Sequence, residues 1–238
     1  MKPLGMAGGP AQGQVPWMDR EQALSTAYPF WGQLSPEEKE AILRGCVEMT
    51  YEKGVGVHRS DVDCKGALLL LSGTLRVYIL SEEGREVTLF RIHTGESCVL
   101  SASCLLDTIA FDLLIEAAED ARALVVPTSV LHPIMERNPY VGLYMYKQAT
   151  ERFSDVMWTM QQILFMGVDR RVAIFLWDEM ARQGKQILKI THDELARNIG
   201  SAREVVTKVM KYFAGEGIVR VKRGQVEILD REKLRALL

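Results

Sequence analysis

Between Tyr146 and Ile163 six residues recur at intervals of 3, 4, 3, 4 and 3: Tyr146, Ala149, Phe153, Val156, Met160 and Ile163. That alternation is the seam of a two-stranded coiled coil. The helical period starts after Leu131-His132-Pro133 and lasts about 30 residues. A stripe this long has to be covered, either by the same stripe of a second copy or by a β domain of its own chain. The first is the expectation: a dimerisation helix over 131–166 in a homodimer. The second remains open on periodicity alone.

Ahead of the helix the texture is that of strands. From Gly54 to Pro127 short apolar runs (Ala67–Leu71, Leu75–Leu80, Val87–Ile92, Ala123–Val126) are punctuated by Gly66, Gly73, Gly84 and Gly95. Leu75–Leu80, a Ser81-Glu82-Glu83-Gly84 turn and Arg85–Ile92 read as a β-hairpin. Repeated short strands predict an antiparallel β-roll or sandwich. Residues 19–50 show helical spacing, with Ser35-Pro36-Glu37-Glu38 as a capping box and Pro at the first helical position. Residues 1–18, rich in Gly and Pro, read as a tail. A sensor domain is therefore expected over 19–130.

Behind the helix the charge changes sign. Residues 1–166 carry 14 basic and 21 acidic side chains, whereas 167–238 carry 15 and 10, within a chain of net charge −2. A basic module on an acidic body points to a polyanion partner. Within 167–238, Thr191-His192-Asp193-Glu194 has the form of a capping box, and Gly200-Ser201 separates two short helices with a shared apolar face. Ile218–Val221 and Gln225–Leu229 flank a Lys222-Arg223-Gly224 turn. Together these predict a winged helix-turn-helix. Arg203, Glu204 and Lys208 start the second helix on one face, and their chemistry matches guanine, cytosine and guanine or phosphate. The competing reading of that triplet is a solvated face with a Glu204–Lys208 pair. The basic wing and the local charge balance decide for DNA.

Other classes fit less well. No apolar run approaches the roughly 18–20 residues of a bilayer crossing, so no membrane partner is expected. No export signal is visible at the start, which reads as cytoplasmic. Four cysteines are too few for a disulfide scaffold. The histidines His58, His93, His132 and His192 stand in separate elements, so neither a metal site nor a catalytic residue is assigned. Neither a phosphate-binding Gly-rich loop nor a Gly-x-Ser-x-Gly elbow occurs. The alternative function retained is a β-roll ligand-binding or interaction module whose winged helix contacts protein.

The ordered set resembles the Crp–Fnr family of bacterial transcription regulators over roughly residues 25–238. The resemblance is carried by Leu71–Tyr78 through Glu83–Glu86 to His93–Glu96, by Asp169–Leu176, and by Ile190–Ala196 through Ser201–Lys208. It implies an α+β chain: antiparallel β-roll, long dimerisation helix, then winged helix-turn-helix over 167–238. It implies a homodimer on a two-fold symmetric operator in double-stranded DNA, RNA polymerase as a partner, and a small effector in the β-roll. Arg203, Glu204 and Lys208 fall on the family's base-reading positions. Thr191, His192 and Ser201 fall where it contacts phosphate, and Thr207, Lys222 and Arg223 are assigned to phosphate with them. Val205 departs from the hydroxyl residue often found there.

The branches of the family differ in what they sense. The cyclic-nucleotide branch has a Gly-Glu-Leu stretch and an Arg-Ser pair. Here Val99-Leu100-Ser101 and Phe111-Asp112 stand in those places, so a cyclic phosphate would meet a carboxylate instead of an arginine, which argues against cyclic AMP. No cysteine lies within residues 1–45 and Leu124 takes the late cysteine position, which removes the iron–sulfur pattern. No histidine lies between His93 and His132, which argues against haem. What remains is Glu96-Ser97-Cys98-Val99-Leu100-Ser101-Ala102-Ser103-Cys104. Glu96, Cys98, Ser101, Ser103, Cys104, Phe111 and Asp112 are the candidates for an effector pocket or a thiol switch. Soft-metal or cluster ligation with Cys46 and Cys64 is a further possibility. Buried, inert cysteines are the competing reading. The cofactor is left unassigned.

Overall fold

A computed structural model describes residues 17–59, 66–82, 84, 86–99 and 113–238. It forms two compact units: one from the residues up to Val77 with Phe90–Ser154, the other from Tyr78–Leu89 with Asp155–Leu238. The long helix is not a module of its own but is divided near Ser154, and the tip of one hairpin is counted with the C-terminal unit.

In the first unit, helix α1 (Trp17–Ala27) begins within the segment expected to be tail. The helical stretch expected over 19–50 is broken into α1, a 3-10 turn (Pro29–Gln33) and α2 (Pro36–Gly45), and strand β1 begins at Val47. The prolines explain the breaks: each lacks an N–H and drives the residue before it out of helical geometry. Tyr28 (φ −107°, ψ 101°) and Ser35 (φ −66°, ψ 161°) are extended accordingly. The capping box forms, with Glu38 N donating to Ser35 Oγ at 3.2 Å and Ser35 N donating to Glu38 Oε2 at 2.8 Å.

The β-roll comprises β1 (Val47–Tyr51), β2 (Gly56–Arg59), β3 (Ala67–Ser72), β4 (Thr74–Leu80), β5 (Glu86–His93), β6 (Ser97–Cys98), β7 (Leu114–Ala117) and β8 (Ala121–Val126). They form two four-stranded sheets, ordered β1-β8-β3-β6 and β2-β7-β4-β5. Strand β3 explains why the roll is two-layered. Its run Ala67-Leu68-Leu69-Leu70 is buried throughout, so both faces are covered. Ala67 and Leu69 join Leu24, Phe30, Ile42, Leu131 and Met145 in one cluster, while Leu68 and Leu70 point the other way. Gly73, between β3 and β4, has φ +86°, and a Cβ there would lie 2.3 Å from the Asp120 carbonyl oxygen, so no other residue fits.

The helix expected over 131–166 is two helices, α3 (Thr128–Arg137) and α4 (Pro139–Phe165). Pro139 again sets the break, leaving Asn138 extended. The Asn138 side-chain amide donates to Gln33 O at 3.0 Å and Glu38 Oε2 at 3.1 Å, which anchors the corner on the start of α2. Val141, Gly142 and Met145 then bury one side of the first turns of α4.

The second unit continues from α4 through α5 (Val168–Gln183), β9 (Ile187–Leu188), α6 (His192–Ile199), α7 (Arg203–Gly215), β10 (Val219–Lys222), β11 (Gln225–Ile228) and α8 (Arg231–Arg235). The last strands form a small sheet ordered β10-β11-β9. Val172, Leu176, Leu195, Val206, Met210, Phe213, Val226 and Leu234 make its core. Gly200 caps α6 with φ +63°, the left-handed conformation that turns the chain into α7. The hairpin tip packs here: Thr88 Oγ1 donates to Arg197 O at 3.1 Å, and a Cβ on Gly200 would touch Val87 and Ile163 at 3.4 Å. Thr159 of α4 donates to Leu89 O at 2.7 Å.

Candidate DNA interface

Helix α7 has two sides of opposite character. Val206, Met210 and Phe213 are buried, and Arg203, Glu204 and Lys208 are exposed at its N-terminal end. Glu204 and Lys208 make no ion pair with any described residue, including each other, so the pair considered from the sequence does not form. Arg203 does have a partner: its Nη1 lies 3.1 Å from Asp193 Oδ2, with the two side chains 62% and 55% exposed.

Two of the expected phosphate contacts, Thr191 and His192, stand at the start of α6 and are already engaged within the fold. Thr191 Oγ1 accepts from Glu194 N at 3.2 Å and donates to Glu194 Oε2 at 2.9 Å, while Thr191 N donates to the same carboxylate at 2.8 Å. The Thr191 hydroxyl is thus engaged as the cap of α6. His192 Nδ1 lies 3.0 Å from Thr207 Oγ1, joining the start of α6 to α7. His192 Nε2 is buried with no hydrogen-bond partner among the described residues. Burial first, and the Arg203 charge second, push its pKa down, with Asp193 opposing. Ser201 keeps the turn through its backbone, its N–H donating to Ala196 O at 3.0 Å.

At the wing, Lys222 and Arg223 are exposed beside the Gly224 turn. Glu227 of β11 tempers this cationic strip, with Arg220 Nη1 at 2.9 Å and Lys222 Nζ at 4.0 Å. Asp193 and Glu227 were both missed from the sequence. Asp193 is brought to Arg203 by the crossing of α6 and α7, and Glu227 to Arg220 by the register of the β10–β11 hairpin, in which the two are directly opposite.

The stripe on α4 is rotated from the expected seam. Tyr146, Phe153 and Met160 are exposed, but Ala149 packs against the β-roll core and Val156 and Ile163 are half-buried. Leu143, Tyr146, Phe153, Met157, Met160 and Leu164 make the exposed apolar line, with Thr150 filling its gap, at intervals of 3 and 4 throughout. The two registers share three residues. They diverge because a helix packed on a roll must give one flank of its apolar surface to its own chain.

Of the effector candidates, Ser101, Ser103, Cys104, Phe111 and Asp112 lie outside the described residues. Cys98 sits in β6 opposite Leu68, with no exposed surface. Cys46 is buried as well, and burial pushes its thiol up to about 11. Glu96 Oε2 accepts from His93 N at 3.2 Å and from Arg152 Nη2 of α4 at 3.3 Å. The Arg152 guanidinium also stands 5.1 Å from the Phe90 ring centroid. Next to Glu96, Ser97 Oγ and the Tyr144 hydroxyl are 2.8 Å apart. The start of the candidate segment is therefore tied to α4 by two side chains, Arg152 and Tyr144, that sequence reasoning did not single out. Among the described residues no helix is long and apolar enough to cross a membrane.

A β-roll followed by a long helix and a winged helix-turn-helix defines a class, the DNA-binding transcription regulators with a sensor roll. Residues 170–237 match the model of the Crp-like helix-turn-helix domain. A candidate transcriptional regulator of the crp/fnr family from Eubacterium rectale, known from a crystal structure, is 41% identical. It superposes with a TM-score of 0.84 over 89% of this chain and 98% of that one. Transcriptional regulator SdrP of Thermus thermophilus is 29% identical over 178 residues, 72% of this chain and 83% of that protein. The cyclic AMP receptor protein of the same organism is 27% identical over 203 residues, 85% of this chain and 93% of that one. The chain belongs to the Crp/Fnr family. These relatives are named as regulators and receptors rather than enzymes.

Proposed function

We propose that the chain is a homodimeric transcription regulator that reads a two-fold symmetric operator in double-stranded DNA under the control of a signal received by the β-roll. The observation that carries the reading is the exposed, outward face of α7. Among the described residues Glu204 and Lys208 have no ion-pair partner there, and Arg203 pairs with another exposed side chain, Asp193. Arg203 and Lys208 are suited to guanine and Glu204 to cytosine N4–H. Thr191, His192, Ser201, Thr207, Lys222 and Arg223 flank that face as phosphate contacts, which set register without specifying sequence. The apolar line on α4, from Leu143 to Leu164, is the dimer seam in this reading. RNA polymerase is the downstream partner.

The effector is a small molecule held near Glu96, and the burial of Cys98 speaks against that thiol as an exposed redox sensor. Cyclic AMP is not favoured, since no arginine stands at the phosphate place. Glu96 and Ser97, bonded to Arg152 and Tyr144, offer the route by which occupancy would shift α4.

The test is to select an operator from random duplexes with the full-length protein and measure affinity at two salt concentrations, reduced and mildly oxidised. A selected consensus with inverted symmetry, bound far more tightly than random duplex and weakening as salt rises, is the expected result. Absence of any preferred sequence would overturn the reading in favour of a protein-contacting winged helix. A large reversible effect of oxidation, lost in Cys98→Ser or Cys104→Ser, would return the thiols to the sensor.

A further inference from the structure

We propose that Asp193 is a positioning residue for base reading: its carboxylate holds the Arg203 guanidinium so that the remaining N–H edge meets one guanine in a fixed orientation. This rests on the reading of α7 as the recognition helix and names a specificity-determining residue within it. The pair is 3.1 Å apart and both side chains are more than half exposed. An exposed ion pair contributes little to folding, so the arrangement is not explained as a fold-stabilising contact.

The carboxylate is on a rigid mount. Asp193 lies in the first turn of α6, which the Thr191–Glu194 capping box closes in both directions. The neighbouring His192 ties that same turn to α7 through Thr207 at 3.0 Å. Arg203 is the first residue of α7, so its backbone is set while its long side chain would otherwise sample many rotamers. Guanidinium carries five donors in a planar fork, and binding one corner to Asp193 leaves further N–H groups for guanine O6 and N7. The same carboxylate faces incoming phosphates and repels them whatever the sequence. Asp193 thus acts on specificity twice: it orients the attractive group and weakens binding to the wrong partners.

The experiment compares Asp193→Asn, Asp193→Glu and Arg203→Ala with the wild type in the full-length protein. Each is titrated against the selected operator, against operators substituted one base at a time, and against a random duplex. Asp193→Asn is expected to bind random duplex about two- to fivefold more tightly, as one repulsive charge is removed. It should also lose about five- to tenfold of the discrimination at the single position that Arg203→Ala identifies, leaving other positions unchanged. Asp193→Glu should recover most of that discrimination, and thermal melting should show both variants folded. Equal changes on operator and random duplex, with base preference unmoved, would overturn the proposal and leave Asp193 a source of field alone. Tightening on the operator beyond that on random duplex would overturn it too, since Asp193 would then be a competitor that must release Arg203. If Arg203→Ala changes preference at no position, the recognition-helix reading fails and the positioning role falls with it. If only Asp193→Asn is silent, the positioning role fails alone.

Discussion

Polar groups are used in opposite ways at the start of the candidate effector segment and at the start of α7. Glu96 and Ser97 are engaged within the fold, the one with His93 N and Arg152, the other with Tyr144. Glu204 and Lys208 stand exposed with no ion-pair partner among the described residues. The difference teaches how to separate a group that holds a fold from one that awaits a ligand. Substituting the first kind should move stability, and substituting the second should move binding. Arg203, His192 and Thr191 fall between the extremes and make the comparison breakable.

The widest effect is expected on α4. Phe153→Glu with Met160→Glu should halve the sedimentation mass and lower operator affinity at least about 100-fold, since two half-sites would no longer be bound as one. Ala149→Glu should instead destabilise the first unit, because Ala149 packs on its core. An unchanged mass in the double variant would show that the exposed line is not the seam. Next, Arg203→Ala should cost about 1–3 kcal/mol at one operator position while leaving the melting temperature unaltered. A uniform loss across operator and random duplex would reassign it to phosphate.

Ser97→Ala should do the reverse. It leaves the half-buried Tyr144 hydroxyl without its partner, so about 1–2 kcal/mol of stability should go, read by urea unfolding. Thr191→Ala sharpens the boundary between the two kinds of group. As a cap it should cost about 1 kcal/mol of stability, whereas a pure phosphate contact would leave unfolding untouched. The smallest effect concerns His192, whose pKa burial holds below its ordinary value of 6.5. The unfolded chain takes up the proton first, so stability is full above that value and falls as the pH drops below it. His192→Gln should flatten the melting temperature between pH 7 and pH 5. An identical slope in the variant would remove His192 from the account.

Much of this was legible before any packing was known because it is local. The Ser35 and Thr191 capping boxes, the hairpin over 75–92, the tight link at Gly200-Ser201 and the outward triplet on α7 all follow from residues within a few positions of each other. Pro36 was legible as a helix start, but two other prolines were underweighted: Pro29 and Pro139 each divide a stretch whose apolar period runs on regardless. The seam shows the limit most clearly. A 3-4 repeat locates an apolar surface on a helix, but the surface here is wider than one stripe, and only contact with the β-roll decides which flank is covered.

The pairs that link distant segments were invisible for a different reason. Asp193 with Arg203, Arg152 with Glu96 and Tyr144 with Ser97 are fixed by how elements cross, and no spacing rule encodes a crossing. Residue order alone thus determined the strand and helix regions, the Ser35 and Thr191 caps and the family, because those depend on backbone preferences and short-range periodicity. Tertiary structure decided which side chains are already engaged, because a hydrogen-bond donor or carboxylate has finite capacity and its partner is chosen by proximity in space. That division engaged Thr191 as a cap in the fold and left Glu204 and Lys208 open to a ligand.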